Sequence, residues 1–319
     1  PNGRAGAAGC PERASAGVHV RLILDAVGSA SAVRLAREKL EPHRGEVRTF
    51  MPLAHSPIRG RTNLRSHRKL VVVDRSVVFG GGMNFAVEYM GASPKPGRWR
   101  DVAAIARGRI ALDAEAMFES DWKFTGGAPR KPEPPQPAAS AGDEVVQIVA
   151  SGPDFVNDTL YDLFLTAIGK ARERVALVTP YYVPDDNLQH ALVLAARRGV
   201  RTEVVVPSVS NHRIADVARR DLVRELTAAG VAVRHYPHGM VHAKAMIVDD
   251  RFGYVGSPNF DMRSLFLNYE VALCAYSPAA VASIAAYVDA LARESTTRGP
   301  DARPHRFLEQ LARFFAPEL

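Results

Sequence analysis

Cysteine is almost absent from this chain: Cys10 and Cys274 are the two among 319 residues. Two thiols cannot build a disulfide framework, so the fold has to rest on an apolar core, and a reducing, cytoplasmic setting is the expectation. Cys274 follows Val271-Ala272-Leu273 and is expected inside that core. No uninterrupted apolar run of eighteen residues occurs, so no membrane-spanning helix is expected. No signal-peptide pattern opens the sequence. The spacings CxxC and HExxH are missing, as is any aspartate cluster with calcium-loop spacing, so neither a metal nor another cofactor is expected.

Positive charge and apolar bulk are plentiful. Apolar residues make up 47% of the chain, enough for one large domain or two. The net charge is +7 and the isoelectric point about 9.6, which favours an anionic partner such as an acidic lipid surface or nucleic acid. The bias is concentrated between Val47 and Val73, which hold no acid but carry Arg48, Arg59, Arg61, Arg65, Arg68 and Lys69. Such a run could grip an anionic headgroup or a nucleic-acid backbone, or form a solvated loop.

A device of eighteen residues occurs twice, 175 positions apart. One copy is His67, Lys69, Asp74, Gly81, Gly82 and Asn84; the other is His242, Lys244, Asp249, Gly256, Ser257 and Asn259. Identical spacing of four polar residue types implies duplication and two-fold pseudo-symmetry, with one active site made from two halves. Leu70-Val71-Val72-Val73 and Ala245-Met246-Ile247-Val248 read as buried strands. His and Lys, two apart on such a strand, point to one face. A turn and a second short strand then lead to Gly81-Gly82 or Gly256-Ser257, expected to let the backbone approach a substrate closely.

The trio of His, Lys and Asn suits a phosphate: a positive charge, a neutral donor and a nitrogen that titrates near neutrality. With both copies together, one imidazole can attack phosphorus while the other protonates the leaving oxygen. Both lysines would hold the charge that develops on the phosphoryl oxygens.

The paired His67/Lys69/Asp74 and His242/Lys244/Asp249 resemble the two HKD motifs of the phospholipase D superfamily. Asn259-Phe260-Asp261-Met262-Arg263-Ser264 with Leu267-Asn268-Tyr269-Glu270 resembles the segment after the second motif of bacterial cardiolipin synthases. Thr179 to Asp185, Ser151-Gly152-Pro153-Asp154, Gly81-Gly82-Met83-Asn84 and Trp99-Arg100-Asp101 are similar to that family too. The resemblance implies an α/β fold of two similar lobes, each a mixed β-sheet flanked by helices, related by a pseudo-two-fold axis and sharing one site. It implies His67 as nucleophile, forming a phosphohistidine, and His242 as general acid and base. Asp101 and Glu270, one carboxylate downstream of each motif, are assigned to orient the imidazoles, while Asp74 and Asp249 fix the backbone of the motifs. The implied reaction joins two phosphatidylglycerol molecules into cardiolipin and glycerol at the cytoplasmic face of a bacterial inner membrane, with the chain held peripherally. A phosphodiesterase of the same chemistry, acting on lipid or nucleic acid, is the competing reading, and a catalytically dead binding protein a third.

Alternating strands and helices set the expected organisation. Strands are read over Val18–Asp25, Val47–Phe50, Val175–Val178, Thr202–Val206 and Val231–Tyr236, and helices over Ala30–Leu40, Asn187–Arg198 and Ala215–Ala229. Residues 1–16 are expected to be irregular, 17–125 the first lobe, 126–143 a proline-rich linker, 144–300 the second lobe and 301–319 an amphipathic helix. The second half has a strand and a helix before Gly199 that find no counterpart before Gly17, so the chain reads as truncated relative to the family or as a divergent short form. Near-helical spacing of Phe307, Leu308, Leu311, Phe314 and Phe315 would let the last helix dip into a bilayer interface or pack on the protein itself. Tyr181-Tyr182 is expected in the core or at the substrate mouth, and His238 as a polar loop residue or a proton shuttle.

Overall fold

A computed structural model describes residues 9–51, 64–90, 97–130, 142–299 and 306–315. The first half begins with helix α1 (Gly9–Ser15), β1 (Arg21–Asp25), α2 (Ala30–Leu40) and β2 (Glu46–Phe50). It continues with the motif hairpin β3 (Leu70–Val73) and β4 (Val77–Gly81), then β5 (Ala103–Arg107) and α3 (Ile110–Phe124). In the second half come β6 (Val146–Ser151), α4 (Thr159–Lys170), β7 (Arg174–Val178), β8 (Tyr182–Val183), α5 (Asp186–Arg197), β9 (Arg201–Pro207), α6 (Arg213–Ala228) and β10 (Ala232–Tyr236). The second motif hairpin, β11 (Ala245–Val248) and β12 (Phe252–Gly256), is followed by β13 (Phe260–Asp261), α7 (Met262–Phe266), β14 (Glu270–Ala275), α8 (Pro278–Arg293) and α9 (Arg306–Phe315). The protein is therefore mixed α/β, with sheets flanked by helices.

The second half is built on one seven-stranded sheet in the order β10-β9-β7-β11-β12-β14-β6. Its β10, β9 and β7 run parallel, as right-handed strand–helix–strand units require, while β11, β12, β14 and β6 are antiparallel to their neighbours. Both faces are covered: Leu160, Phe164, Ile168, Leu188, Leu192, Leu222 and Leu226 from α4, α5 and α6 pack on one side, and Val281, Val288 and Leu291 from α8 on the other. Burial on both faces explains why β11 and β12 read as continuous apolar runs rather than as an alternating pattern. Cys274 lies in this core, as expected.

The first half uses the same parts in two pieces. β1 and β2 pair in parallel, as β9 and β10 do, and β3-β4-β5 repeat the antiparallel order of β11-β12-β14. Among the described residues no ladder joins β1 to β3, the place that β7 fills in the second sheet. Residues 9–15, expected to be irregular, form α1 instead. Pro11 lies within the first turn, where a missing N–H costs no helical hydrogen bond.

The halves meet directly. α3 packs on β6, and β4 packs on β12 and β14. Arg68 fastens the contact: it donates twice to Asp121 (2.6 and 2.8 Å) and also to the carbonyls of Ser151 and Glu270, with its guanidinium over the ring of Tyr269. Helix α9 lies on α6, where Glu309 is buried against Arg224 and Ala312 packs on the core. Its apolar side is thus partly used by the protein, with Leu308 and Leu311 left exposed. The side chains of Phe307, Phe314 and Phe315 lie outside the described residues, as do residues 131–141 of the expected linker.

Candidate active site

The turn between the strands of each motif hairpin is tight. Asp74 and Asp249 both adopt left-handed backbone geometry, with φ of 48° and 54°. Asp249 then accepts hydrogen bonds from the N–H groups of Arg172, Glu173 and Arg174, which hold its carboxylate below the usual range against the opposing effect of burial. It thereby ties the turn of the second motif to the entry of β7. Asp74 is exposed and makes no such bonds among the described residues.

Just before each motif, the chain crosses to the other half. Ser66 forms a parallel bridge with Tyr269, and Val241 with Arg100. The N–H of His67 donates to the carbonyl of Tyr269 (2.9 Å), and the N–H of His242 to the carbonyl of Arg100 (2.7 Å). Tyr269 and Arg100 immediately precede Glu270 and Asp101, so each motif histidine is delivered to the carboxylate of the opposite half.

His67 Nδ1 lies 2.9 and 3.0 Å from the two oxygens of Glu270. His242 Nδ1 lies 2.8 Å from Asp101 Oδ2. Glu270 is fully buried and also accepts from the Ser257 hydroxyl and from Asn268 Nδ2. Burial pushes its carboxyl upward, but His67, Lys69 and the Ser257 hydroxyl outweigh that and hold it below the ordinary range. Asp101 is buried without as many donors, and burial raises it despite Lys244 and the N–H of Val102.

Both lysines are buried. Lys69 Nζ donates to the His67 carbonyl (2.7 Å). Lys244 Nζ donates to the His242 carbonyl (2.6 Å) and stands beside that ring, 2.7 Å from Nδ1 and 3.0 Å from Nε2. Burial pulls Lys69 down to about 7 and Lys244 down to about 8, although Glu270 and Asp101 favour the charged forms of both. Burial likewise lowers both histidines, and for each the charges of Lys69 and Lys244 add to the effect. His242 also feels the charge of His67, so the two halves form one electrostatic unit.

The two imidazoles differ in access. The His67 side chain is 26% exposed and that of His242 is 5% exposed. Tyr89, Trp99 and Tyr181 surround His242, with ring centroids 5.1, 5.7 and 6.5 Å away. Tyr181 donates to Asn211 Oδ1 (2.6 Å) near the surface, whereas Tyr182 is core, its hydroxyl on Gln189. His238 is an exposed loop residue packed edge-on against Tyr236.

Other expected site residues take different positions. Asn84 donates its amide to the Tyr89 hydroxyl (3.1 Å), and Asn259 is buried with its Oδ1 unpartnered among the described residues. The glycines face protein rather than open space. A Cβ on Gly81 would sit 2.5 Å from the Val102 carbonyl oxygen, and one on Gly256 2.7 Å from that of Val271. A Cβ on Gly82 would meet Lys244 Cδ at 2.8 Å and Asp101 Oδ1 at 2.9 Å. Gly81 and Gly256 thus let neighbouring strands approach, Gly82 makes room for Lys244 and Asp101, one side chain from each half, and Ser257 braces Glu270. The basic run is also committed internally: Arg65 donates to the Met51 carbonyl, Arg48 lies over Trp122 and Arg68 is paired with Asp121, while Arg59 and Arg61 lie outside the described residues. Among the described residues no group of three or more His, Cys, Asp or Glu is placed to hold a metal, and no helix is long and apolar enough to cross a membrane.

Sequence reading missed the aromatic wall and the crossing of the carboxylates. Trp99 stands two residues before Asp101 in sequence, but Tyr89 carries no motif of its own.

Residues 164–292 match the family described as cardiolipin synthase, PLD-like domain. Cardiolipin synthase 2 of Bacillus cereus is 37% identical over 263 residues, covering 82% of this chain and 51% of that protein. The cardiolipin synthase of Halalkalibacterium halodurans is 34% identical over 316 residues, covering 97% of this chain and 63% of the relative. This chain therefore spans between about half and two-thirds of these relatives. Among solved structures, the phosphatidylserine synthase of Haemophilus influenzae shares the fold, with a TM-score of 0.63 over 93% of this chain and 80% of that one at 14% identity. Paired His-x-Lys motifs brought to one place by two halves thus occur in a chain that carries a phospholipase D-like domain over residues 164–292 and is similar in sequence to bacterial cardiolipin synthases.

Proposed function

We propose that this protein is a phosphatidyltransferase of cardiolipin synthase type, converting two phosphatidylglycerol molecules into cardiolipin and glycerol. The observation that carries the reading is the pair of histidines, each with Nδ1 held by a carboxylate of the other half, beside two buried lysines. With Nδ1 of His67 held by Glu270, its Nε2 is the free nucleophile, the logic by which a carboxylate orients a catalytic imidazole. His67 takes the nucleophilic role because it is the more exposed ring.

His67 Nε2 attacks the phosphorus of one phosphatidylglycerol, and the bond from phosphorus to the headgroup glycerol breaks. His242 gives its proton to the departing glycerol oxygen. The glycerol hydroxyl of a second phosphatidylglycerol then loses its proton to His242 and attacks phosphorus, breaking the P–N bond and leaving cardiolipin. Lys69 and Lys244 stabilise the charge on the phosphoryl oxygens during both steps. His242 is neutral in the empty site because burial and the two lysines disfavour its charge; the negative phosphodiester offsets the lysines and lets it hold the proton it must donate. The substrate would be met at the cytoplasmic face of the membrane with the chain bound peripherally.

Incubation of purified protein with phosphatidylglycerol vesicles tests this. The expected products are cardiolipin and free glycerol by mass spectrometry. Phosphatidic acid as the sole lipid product would make the protein a hydrolase, and DNA cleavage without lipid turnover would make it a nuclease. His67→Ala should abolish the trapped phosphohistidine; if His242→Ala abolishes it and His67→Ala does not, the two roles are exchanged.

A further inference from the structure

We propose that the second half carries an anion site remote from the paired histidines, in a pocket between α8 and the starts of β7, β9 and β10, and that this site takes a phosphate group. The pocket has a volume of about 350 Å³ and is lined by Arg174, Arg201, Glu203, Arg234, Asp289 and Arg293, with Ala292 its one apolar residue among those described.

The sheet explains why charge collects there. Side chains alternate across a strand. Val175, Val204 and Val233 turn toward α4, α5 and α6 and are core. Their neighbours Arg174, Glu203 and Arg234 turn toward α8, as does Arg201, two residues before Glu203. A parallel sheet covered on both faces carries apolar residues on both. Farther along the α8 face, Ala176, Val178 and Val205 follow that rule. α8 crosses the sheet obliquely, however: Ile284 packs at Gly253 of β12, and Glu294 meets the Tyr236 hydroxyl at the end of β10. The starts of β7, β9 and β10 lie beside its edge, and the strands place their charged side chains on that open corner.

The charges do not cancel. Arg174 pairs with Asp289, and Arg234 with Glu203. The side chains of Arg201 and Arg293 have no hydrogen-bond or ion-pair partner among the described residues. Four guanidiniums against two carboxylates leave the lining with two positive charges in excess. A phosphate monoester carries about −1.5 to −2 at neutral pH, which matches that excess. Its oxygens suit the planar fork of arginine, which binds phosphate through paired N–H donors. The volume is that of a small-ligand pocket. A nucleic-acid strand fits less well, because Glu203 and Asp289 would repel the phosphates on either side of the one bound.

The site is separate from the motif residues. Arg174 opens β7 and stands about 13 Å of strand away from Val178, the partner of Ala245, which follows Lys244. Filling of the pocket can therefore be read without any lipid turnover.

Arginine modification by phenylglyoxal, located by peptide mass spectrometry on the intact purified protein, tests this. Millimolar pyrophosphate should slow modification of Arg201 and Arg293 by about fivefold or more, while exposed Arg34, paired with Glu38, reacts at its former rate. In Arg201→Gln, pyrophosphate should protect Arg293 with about tenfold weaker affinity, as loss of a hydrogen bond to a charged group implies. Vesicles of phosphatidylcholine with phosphatidic acid, compared with phosphatidylcholine alone, identify the source of the phosphate. Slowing by the acidic vesicles assigns a lipid headgroup, and slowing by pyrophosphate alone assigns a soluble phosphate compound. Unchanged modification of Arg201 and Arg293 with both probes would overturn the proposal. So would equal slowing at Arg34, or protection of Arg293 that keeps its full affinity in Arg201→Gln.

Discussion

His67 Nδ1 and Glu270 Oε1 lie 2.9 Å apart although 203 residues separate them in the chain. The mirrored pair, His242 and Asp101, is separated by 141. Each imidazole is therefore held by the other half, and neither half carries both members of either pair. Glu270→Gln and Asp101→Asn should each lower kcat by about 10³- to 10⁴-fold, the scale on which a buried carboxylate fixes a catalytic tautomer. The two variants should differ in the intermediate. Glu270→Gln should slow formation of the phosphohistidine, and Asp101→Asn should act through protonation of the leaving group. Rapid-quench measurement with a substrate bearing a more acidic leaving alcohol separates them: it should rescue Asp101→Asn and leave Glu270→Gln slow.

The pH profile follows from the lysines. In the empty enzyme Lys69 titrates at about 7 and Lys244 at about 8 because burial disfavours their charge. Both must be charged to hold the phosphoryl oxygens and His242 must take up a proton on binding, so kcat/KM should fall with rising pH, and more steeply as pH passes through 7 to 8. On the acid side, an imidazole must be neutral to attack, and both are shifted below the ordinary histidine value. The acid limb should therefore lie below about 6.5. In kcat the alkaline limb should move upward, since a bound phosphodiester favours the charged lysines. An alkaline limb at the same pH in kcat and kcat/KM would contradict this account.

Much of this site was legible because strand periodicity is a local property. The four apolar residues after each motif read as strands and are β3 and β11, while His67 with Lys69 and His242 with Lys244 immediately precede them, each lysine reaching back to its histidine carbonyl. Helix α2 was readable to the residue from Ala30 to Leu40. What was not legible needed tertiary contact. Nothing near His67 in sequence says that Glu270 serves it, because that pairing depends on the bridge from Ser66 to Tyr269. The run of arginines from Arg48 to Arg68 looked like an anion-binding surface, since sequence does not show that Trp122, the Met51 carbonyl and Asp121 receive three of them. β5, Ala-Ala-Ile-Ala-Arg, was not read as a strand because alanine is a poor strand former, and pairing with β4 decides it.

The glycines at the motif ends should separate folding from chemistry. Gly82→Ala places a methyl group against Lys244 and Asp101, two side chains of the proposed catalytic set, rather than against the backbone of a neighbouring strand. The variant should fold with little loss of stability but lose activity. Gly256→Ala places its methyl group 2.7 Å from the Val271 carbonyl oxygen and 2.9 Å from Ala272 Cα, both fixed in the sheet. It should be destabilised by about 1–3 kcal/mol, the usual cost of overpacking. Urea titration alongside a lipid turnover assay checks both; an active Gly82→Ala enzyme would mean that Lys244 does not depend on the gap.

Arg68 lies between the motif residues His67 and Lys69, yet its partners are structural. Its side chain is 7% exposed and that of Asp121 is 17% exposed, so truncating the arginine leaves a largely buried carboxylate without its counter-charge. Two carbonyl acceptors, on Ser151 and Glu270, lose their donor at the same time. Arg68→Ala should cost about 3–5 kcal/mol of stability, the range for breaking a buried ion pair from one side. Arg68→Lys should recover little, because an ammonium cannot satisfy Asp121 twice and still reach both carbonyls. Exposed Arg34, paired with Glu38 on one helix, is the control, and Arg34→Ala should leave the unfolding midpoint unchanged. Since Arg68 fastens α3 and the end of β6 to the carbonyl side of Glu270, its loss should open the boundary between the halves first. Faster amide exchange at Ser151 and Glu270 than in the α5–β9 region would show that order of opening, and uniform acceleration across both halves would contradict it.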